Sequence, residues 1–214
     1  MEARGSQSEI PDLYDAMSKT YDIWGKLAET HVRNRTIELA KIIDGQKILE
    51  VAVGTGLTFY EIVKRNPNGV NTGVDISEGM LKKAQKRLLS LVGANYQLKI
   101  GNAFKLEEET EYFDILVNSY MFDLIAFNDM DTILREFRRV LKKNGKLILV
   151  NMTKGKSFGS GIYSWISRIS PKAFGGCRAV SLSDKLEQNG FEIKTREYHQ
   201  QLLFPSEVIL ALKK

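Results

Sequence analysis

KILEVAVGTG, residues 47–56, is the stretch on which the fold turns. Residues 47–53 form a short, almost uninterrupted apolar run, the pattern of a central strand covered on both faces. Gly54 and Gly56 end it. Glycine takes positive φ without penalty and lets a ligand approach the backbone closely. Residues 57–65 read as a helix, stopped by Asn66-Pro67-Asn68-Gly69. A strand, a glycine turn and a helix therefore follow one another within twenty residues.

Outward from that unit the rhythm repeats. A second strand over 72–76 carries Asp75 at its end, and Ser77 is the N-cap of the next helix. In that helix Met80, Leu81, Ala84, Leu88 and Leu91 share a side. Residues 96–100 and 113–119 read as strands three and four. The helix after them sets Ile133, Leu134, Phe137, Val140 and Leu141 on one face. Arg135, Arg138, Arg139, Lys142 and Lys143 lie on the other, and Asn144-Gly145 closes the end. Residues 146–152 form a fifth strand, 182–188 a helix, and 191–199 and 206–212 two last strands too close for a crossover helix. Right-handed crossovers make the first five strands a parallel, doubly wound α/β sheet. The final pair makes it a mostly parallel seven-stranded sheet with a C-terminal antiparallel hairpin.

Whole-chain properties narrow the class. The 214 residues carry 43% apolar and 27% charged residues, which suits one globular domain. The formal charge of +5 comes from 31 basic and 26 acidic residues spread along the chain, so a mixed solvated surface is expected rather than a nucleic-acid face. The lone Cys177 excludes an internal disulfide framework and a multi-cysteine metal site. The start lacks the layout of a signal peptide. The longest apolar candidate, 113–127, is interrupted by Asp114, Asn118 and Asp123. A cytoplasmic location is expected.

In open α/β sheets ligands bind at the carboxyl ends of strands where strand order reverses. Asp75 lies nineteen residues past Gly56, where an acid accepts hydrogen bonds from ribose hydroxyls. A nucleoside-bearing ligand follows. The dinucleotide pattern requires glycine at position 59, where Phe59 stands, and Gly155-Lys156-Ser157 lacks the leading glycine of a Walker loop. A ligand with adenosine but no pyrophosphate fits best.

ILEVAVGTG, GVDISEGML, GNAF and RRVLKKNGKLILV resemble the successive signatures of class I S-adenosylmethionine-dependent methyltransferases, which have a Rossmann-like fold. The similarity covers roughly residues 45–152 and is greatest to the branch of ubiquinone, menaquinone and phospholipid methyltransferases. YDIWG at 21–25 resembles the Tyr-Asp element preceding the core in that branch. The resemblance implies S-adenosylmethionine as cofactor, with Glu50, Ala52, Gly54, Thr55 and Gly56 in the turn around its methionine portion. It implies Asp75 on the ribose, Ile76 and Met80 against the adenine, Asn102 and Ala103 at the adenine edge, and Asn118 beneath the methionine. Family members usually have glycine where Ala52 stands, which predicts a wider turn or a shifted backbone. They often have aspartate where Asn102 stands; asparagine accepts from an amino group and also donates to a ring nitrogen.

Methyl transfer from a sulfonium asks the protein mainly for alignment and exclusion of water. Tyr21 and Tyr120 are the aromatic candidates for the cationic methyl, with Tyr21 covering the cofactor. Asp123, His31 and His199 are candidate bases, needed for a phenol or carbon acceptor but not for an amine arriving neutral. Cys177 lacks the context of a cytosine C5-methylating nucleophile, and NSYM at 118–121 lacks the motif of amino-methylating DNA enzymes. The expected substrate is therefore a small-molecule or lipid-like acceptor, a quinone precursor or phospholipid headgroup amine, with no nucleic acid. One domain is expected: a helical cap at 1–44, a cofactor-binding core at 45–152, a substrate lid at 153–180 and a C-terminal helix and hairpin at 181–214. The lid mixes Phe158, Tyr163, Trp165, Ile166 and Phe174 with five basic residues. It either caps the pocket with its own small core or makes peripheral contact with an anionic membrane. A monomer or homodimer is expected. The rival readings are a noncatalytic S-adenosylmethionine-binding partner protein and a dinucleotide oxidoreductase, which Phe59 disfavours.

Overall fold

The computed structural model of the chain describes residues 30–153, 179–200 and 205–214. Tyr21, with the rest of 1–29, and residues 154–178 of the expected lid, Cys177 included, lie outside the described residues. In chain order the elements are α1 (Thr30–Ala40), β1 (Lys47–Val51), α2 (Leu57–Arg65), β2 (Val70–Asp75), α3 (Glu78–Leu88), β3 (Gln97–Ile100) and β4 (Phe113–Ser119). After them come α4 (Met130–Val140), β5 (Leu141–Met152), α5 (Ser183–Gln188), β6 (Phe191–His199) and β7 (Ser206–Lys213). All seven strands form one sheet in the order β3-β2-β1-β4-β5-β7-β6. The first five are mutually parallel, and β7 runs antiparallel between β5 and β6. The expected α/β sheet with its antiparallel C-terminal pair is thus present. Strand order reverses between β1 and β4, so their carboxyl ends form the switch point of the sheet.

Strand alternation sends the apolar residues of the central strands to two cores. Leu49, Val51, Leu116 and Leu149 meet Ile133, Leu134 and Phe137 of α4 and Leu186 of α5. Ile48, Ile115, Ile148 and Val208 meet Val32 and Ile37 of α1, Phe59 and Ile62 of α2, and Ala84 and Leu88 of α3. Phe137 stacks edge-on against Phe122, with ring centroids 5.9 Å apart.

The carboxyl end of α4 departs from the expectation. The helix stops at Val140, and Leu141 already pairs with Phe113. Register then jumps to Ile115 opposite Lys146. Asn144, at φ 62°, and Gly145, whose missing Cβ would sit 2.8 Å from the Lys142 carbonyl, form that irregularity instead of a helix cap. The basic residues there make specific ion pairs and hydrogen bonds. Lys142 pairs with Asp114 at 2.5 Å. Arg139 pairs with Glu136 and also donates to the carbonyls of Leu106 and Glu108. No described helix is long and apolar enough to cross a membrane.

Candidate active site

The glycine turn is built from three consecutive alternate residues in the left-handed region: Ala52 (φ 61°), Gly54 (φ 56°) and Gly56 (φ 80°). Val53 N–H donates to the Val74 carbonyl at 3.2 Å, and Gly56 N–H to the Val53 carbonyl at 3.1 Å, which closes the turn against β2. The two glycines serve different ends. A Cβ on Gly56 would lie 2.9 Å from both Cα and Cβ of Ala84, so α3 packs directly on it. A Cβ on Gly54 would meet nothing within 4 Å among the described residues, which leaves that face of the turn open to a ligand. Arg87 reaches from α3 to donate to the Thr55 carbonyl at 2.8 Å and pins the loop; Thr55 is itself buried.

Ala52 corrects the expectation of a wider turn or shifted backbone. The alanine adopts the glycine conformation itself, at a cost of about 1–2 kcal/mol for an L-residue in that region.

Asp75 ends β2 and ties it to the turn. Its Oδ2 accepts Gly54 N–H at 2.7 Å and its Oδ1 accepts Ser77 N–H at 2.9 Å. Ser77 caps α3 by accepting Met80 N–H at 3.1 Å. Met80 is buried, whereas Ile76 is 39% exposed. Ile100, the partner of Asp75 across β2 and β3, is 60% exposed beside it. An isoleucine left open at a strand's carboxyl end is what an apolar ring would cover, and Ile100 was missed because in sequence it looks like any strand residue. Asn102 is exposed, and its Oδ1 accepts Phe104 N–H at 3.0 Å. Its Nδ2 and the second lone pair of Oδ1 leave both expected roles available. Ala103 turns its side chain into the core of the α4 face.

Two buried acceptors flank the switch point. Glu50 is 2% exposed, and its Oε2 has no hydrogen-bond partner among the described residues. Burial, and after it the charge of Asp75, pushes its carboxyl well above the ordinary range. Asn118 is fully buried. It donates to the Val51 carbonyl at 2.8 Å and to Met121 Sδ at 3.5 Å, while its Oδ1 has no partner among the described residues. By alternation Glu50 and Asn118 stand on opposite faces of the sheet, so a ligand lying across its carboxyl edge meets both. Orphaned buried acceptors are costly unless something donates to them. An ammonium, with three donors, suits them, and so fits the amino group of a methionine moiety.

Tyr120 follows directly at φ 56°, a rare conformation for an aromatic residue. Its N–H donates to the Val150 carbonyl at 2.8 Å, and its hydroxyl lies 3.1 Å from Ser206 Oγ. Asp123, expected as a candidate base, is fully buried. Both of its oxygens accept Met152 N–H, at 3.0 and 3.1 Å, so it ties the exit of β4 to the exit of β5. His31 and His199 come together, with ring centroids 5.3 Å apart, at the outer end of the sheet on α1 and β6. His199 Nε2 lies 3.4 Å from Glu197, whose carboxylate takes a two-point ion pair from Arg35.

Comparison with known proteins agrees with this geometry. Residues 48–145 match the family described as methyltransferase domain. The chain is 31% identical over 159 residues to a demethylmenaquinone methyltransferase of Thermotoga maritima, a match covering 72% of this chain and 66% of the relative. It is 29% identical over 165 residues to a ubiquinone/menaquinone biosynthesis C-methyltransferase of Bordetella avium, covering 75% and 63%. The chain thus spans slightly less than two thirds of the length of these relatives. Its fold is shared with a magnesium protoporphyrin IX methyltransferase of Synechocystis solved with S-adenosylhomocysteine bound. The TM-score is 0.79 at 14% identity, over 98% of this chain and 100% of that one. With sequence likeness over the cofactor-binding strands and fold likeness over nearly the whole length, residues 48–145 are those of a methyltransferase domain, and the chain is similar to the S-adenosylmethionine-dependent methyltransferases.

Proposed function

We propose that this chain transfers a methyl group from S-adenosylmethionine to a quinone precursor. The observation that carries the cofactor reading is the pair of orphaned buried acceptors, Glu50 Oε2 and Asn118 Oδ1, on either side of the β1–β4 switch point. The acceptor class rests on the names of the relatives, which are demethylmenaquinone and ubiquinone/menaquinone methyltransferases. A phospholipid headgroup amine is the second acceptor class, with nothing in the site that favours it.

When bound, S-adenosylmethionine supplies an activated methyl group, and the chain's own work is binding, alignment and exclusion of water. Gly54 offers an open turn to the methionine portion, and Ala52, Thr55 and Gly56 set the shape of that turn. Asp75, whose carboxylate already accepts Gly54 N–H and Ser77 N–H, meets the ribose hydroxyls at the end of β2. Ile76, Met80 and Ile100 supply an apolar surface for the adenine, with Asn102 Nδ2 at its edge. Tyr120, locked by its backbone and by Ser206, presents an aromatic ring beside the transfer point. Residues 45–152 hold the cofactor, and the segments on either side of that core serve the acceptor.

Incubating the protein with methyl-labelled S-adenosylmethionine and a short-chain demethylmenaquinol under reducing conditions tests this reading. One labelled methyl per acceptor is expected. Tight cofactor binding without transfer to any quinol or amine would favour a noncatalytic S-adenosylmethionine-binding protein instead.

A further inference from the structure

Beyond the switch point, toward the C-terminal strands, a second set of buried polar atoms has no role in the site described above. Asn151, the penultimate residue of β5, is fully buried, and neither its Nδ2 nor its Oδ1 has a hydrogen-bond partner among the described residues. Glu207, near the start of β7, is 2% exposed; Arg196 holds its Oε2 at 2.7 Å, and its Oε1 has no partner among the described residues. The two residues are register partners across β5 and β7. Both fall on the face that carries Leu149 and Ile209, so their Cβ atoms stand about 4.5–5.5 Å apart. They nevertheless do not bond one another. Asn118, with its own orphaned Oδ1, lies on the same face one strand further in, opposite Leu149. Because β7 is antiparallel, its amino end shares the carboxyl edge of β4 and β5. The pair therefore sits on the acceptor side of the switch point.

We propose that Asn151 and Glu207 form a subsite that reads a hydroxyl group on the methyl acceptor; this rests on the acceptor reading given above. A free amide donor beside a free carboxylate oxygen is complementary to one O–H, which donates to Glu207 Oε1 while its oxygen accepts from Asn151 Nδ2. An ether or carbonyl oxygen satisfies only Asn151 and leaves the carboxylate facing a lone pair. Sites that bond a substrate hydroxyl reject the analogue lacking it strongly, because their own buried groups are then left without partners. The pair thereby selects a hydroxyaromatic acceptor over its ether and its oxidised carbonyl form.

The test is calorimetric titration of 1-naphthol and of 1-methoxynaphthalene into protein saturated with S-adenosylhomocysteine. In the unmodified protein the naphthol is expected to bind at least about tenfold more tightly than the ether. Asn151→Leu removes both amide partners. Glu207→Gln keeps an oxygen toward Arg196 and so turns an N–H₂ inward. Each is expected to bring the preference within about threefold, with S-adenosylhomocysteine affinity held within about twofold. Glu207→Gln is nearly isosteric and keeps the test open should Asn151→Leu fold poorly. Equal binding of the two probes by the unmodified protein, or an unchanged preference in the folded variants, overturns the proposal and leaves the acceptor reading standing. So does a fall in thermal stability without a change in preference, the signature of a pair that merely holds a water. No binding of either probe by protein that binds S-adenosylhomocysteine overturns the acceptor reading and this proposal together.

Discussion

Ala52 stores strain where a ligand is to be met. A side chain held at φ 61° costs about 1–2 kcal/mol, and glycine removes most of that cost while adding unfolded-state entropy. Ala52→Gly is therefore expected to raise stability by a net ~0.5–1 kcal/mol, read as a shift in denaturant midpoint with unchanged slope. A loss of stability would mean that the alanine methyl packs more usefully than its burial suggests. Glu50 carries a pH dependence. Its raised pKa means that the unliganded fold keeps the carboxyl protonated above the ordinary range, so its contribution to stability falls as pH rises from about 4.3 through the raised value. An ammonium beside it favours the carboxylate form. Binding of S-adenosylhomocysteine is then accompanied by proton release and tightens as pH rises, measurable by calorimetry in buffers of different ionisation enthalpy. Glu50→Gln should abolish the release; undiminished release would move the proton to another group.

At the scale of elements, α4 is held by its apolar stripe and not by its charges. Phe137 is fully buried against Phe122, so Phe137→Ala is expected to cost about 3–5 kcal/mol in chemical denaturation. A cost under about 1 kcal/mol would show that the α4 face collapses around the gap. The same region marks where sequence reading stopped. Strand β4 was legible to the residue, because the apolar run of FDILVNS follows the acidic stretch 107–111 and matches a strand that is almost wholly buried. The start of β5 was not. Asn144-Gly145 has the chemistry of a helix end and of a strand irregularity alike, and only pairing of Leu141 with Phe113 separates the two. The closing hairpin was legible from the short link between 199 and 206. Its insertion with β7 beside β5 depends on tertiary pairing that no local pattern carries.

For the whole molecule, the site is what two strand orders running apart from β1 and β4 leave open at their carboxyl ends. Gly54, Gly56 and Asp75 were visible because their residue types and spacing state their chemistry. Ile100, Asn151 and Glu207 were not, since what distinguishes them is exposure or an unmatched polar atom, which exists only once the sheet has formed. Asp123 shows the converse: an acid at a promising position in sequence, engaged by the Met152 amide in the fold. The central claim, that this sheet edge holds S-adenosylmethionine, is tested most directly by calorimetric titration of S-adenosylmethionine, S-adenosylhomocysteine and NADH into the unmodified chain and Asp75→Ala. The account predicts one site per chain for both adenosyl ligands and none for NADH. It predicts that Asp75→Ala loses about 2–3 kcal/mol of affinity, roughly 30- to 150-fold. Binding of NADH in their place, no binding of either adenosyl ligand, or undiminished affinity in Asp75→Ala would contradict it.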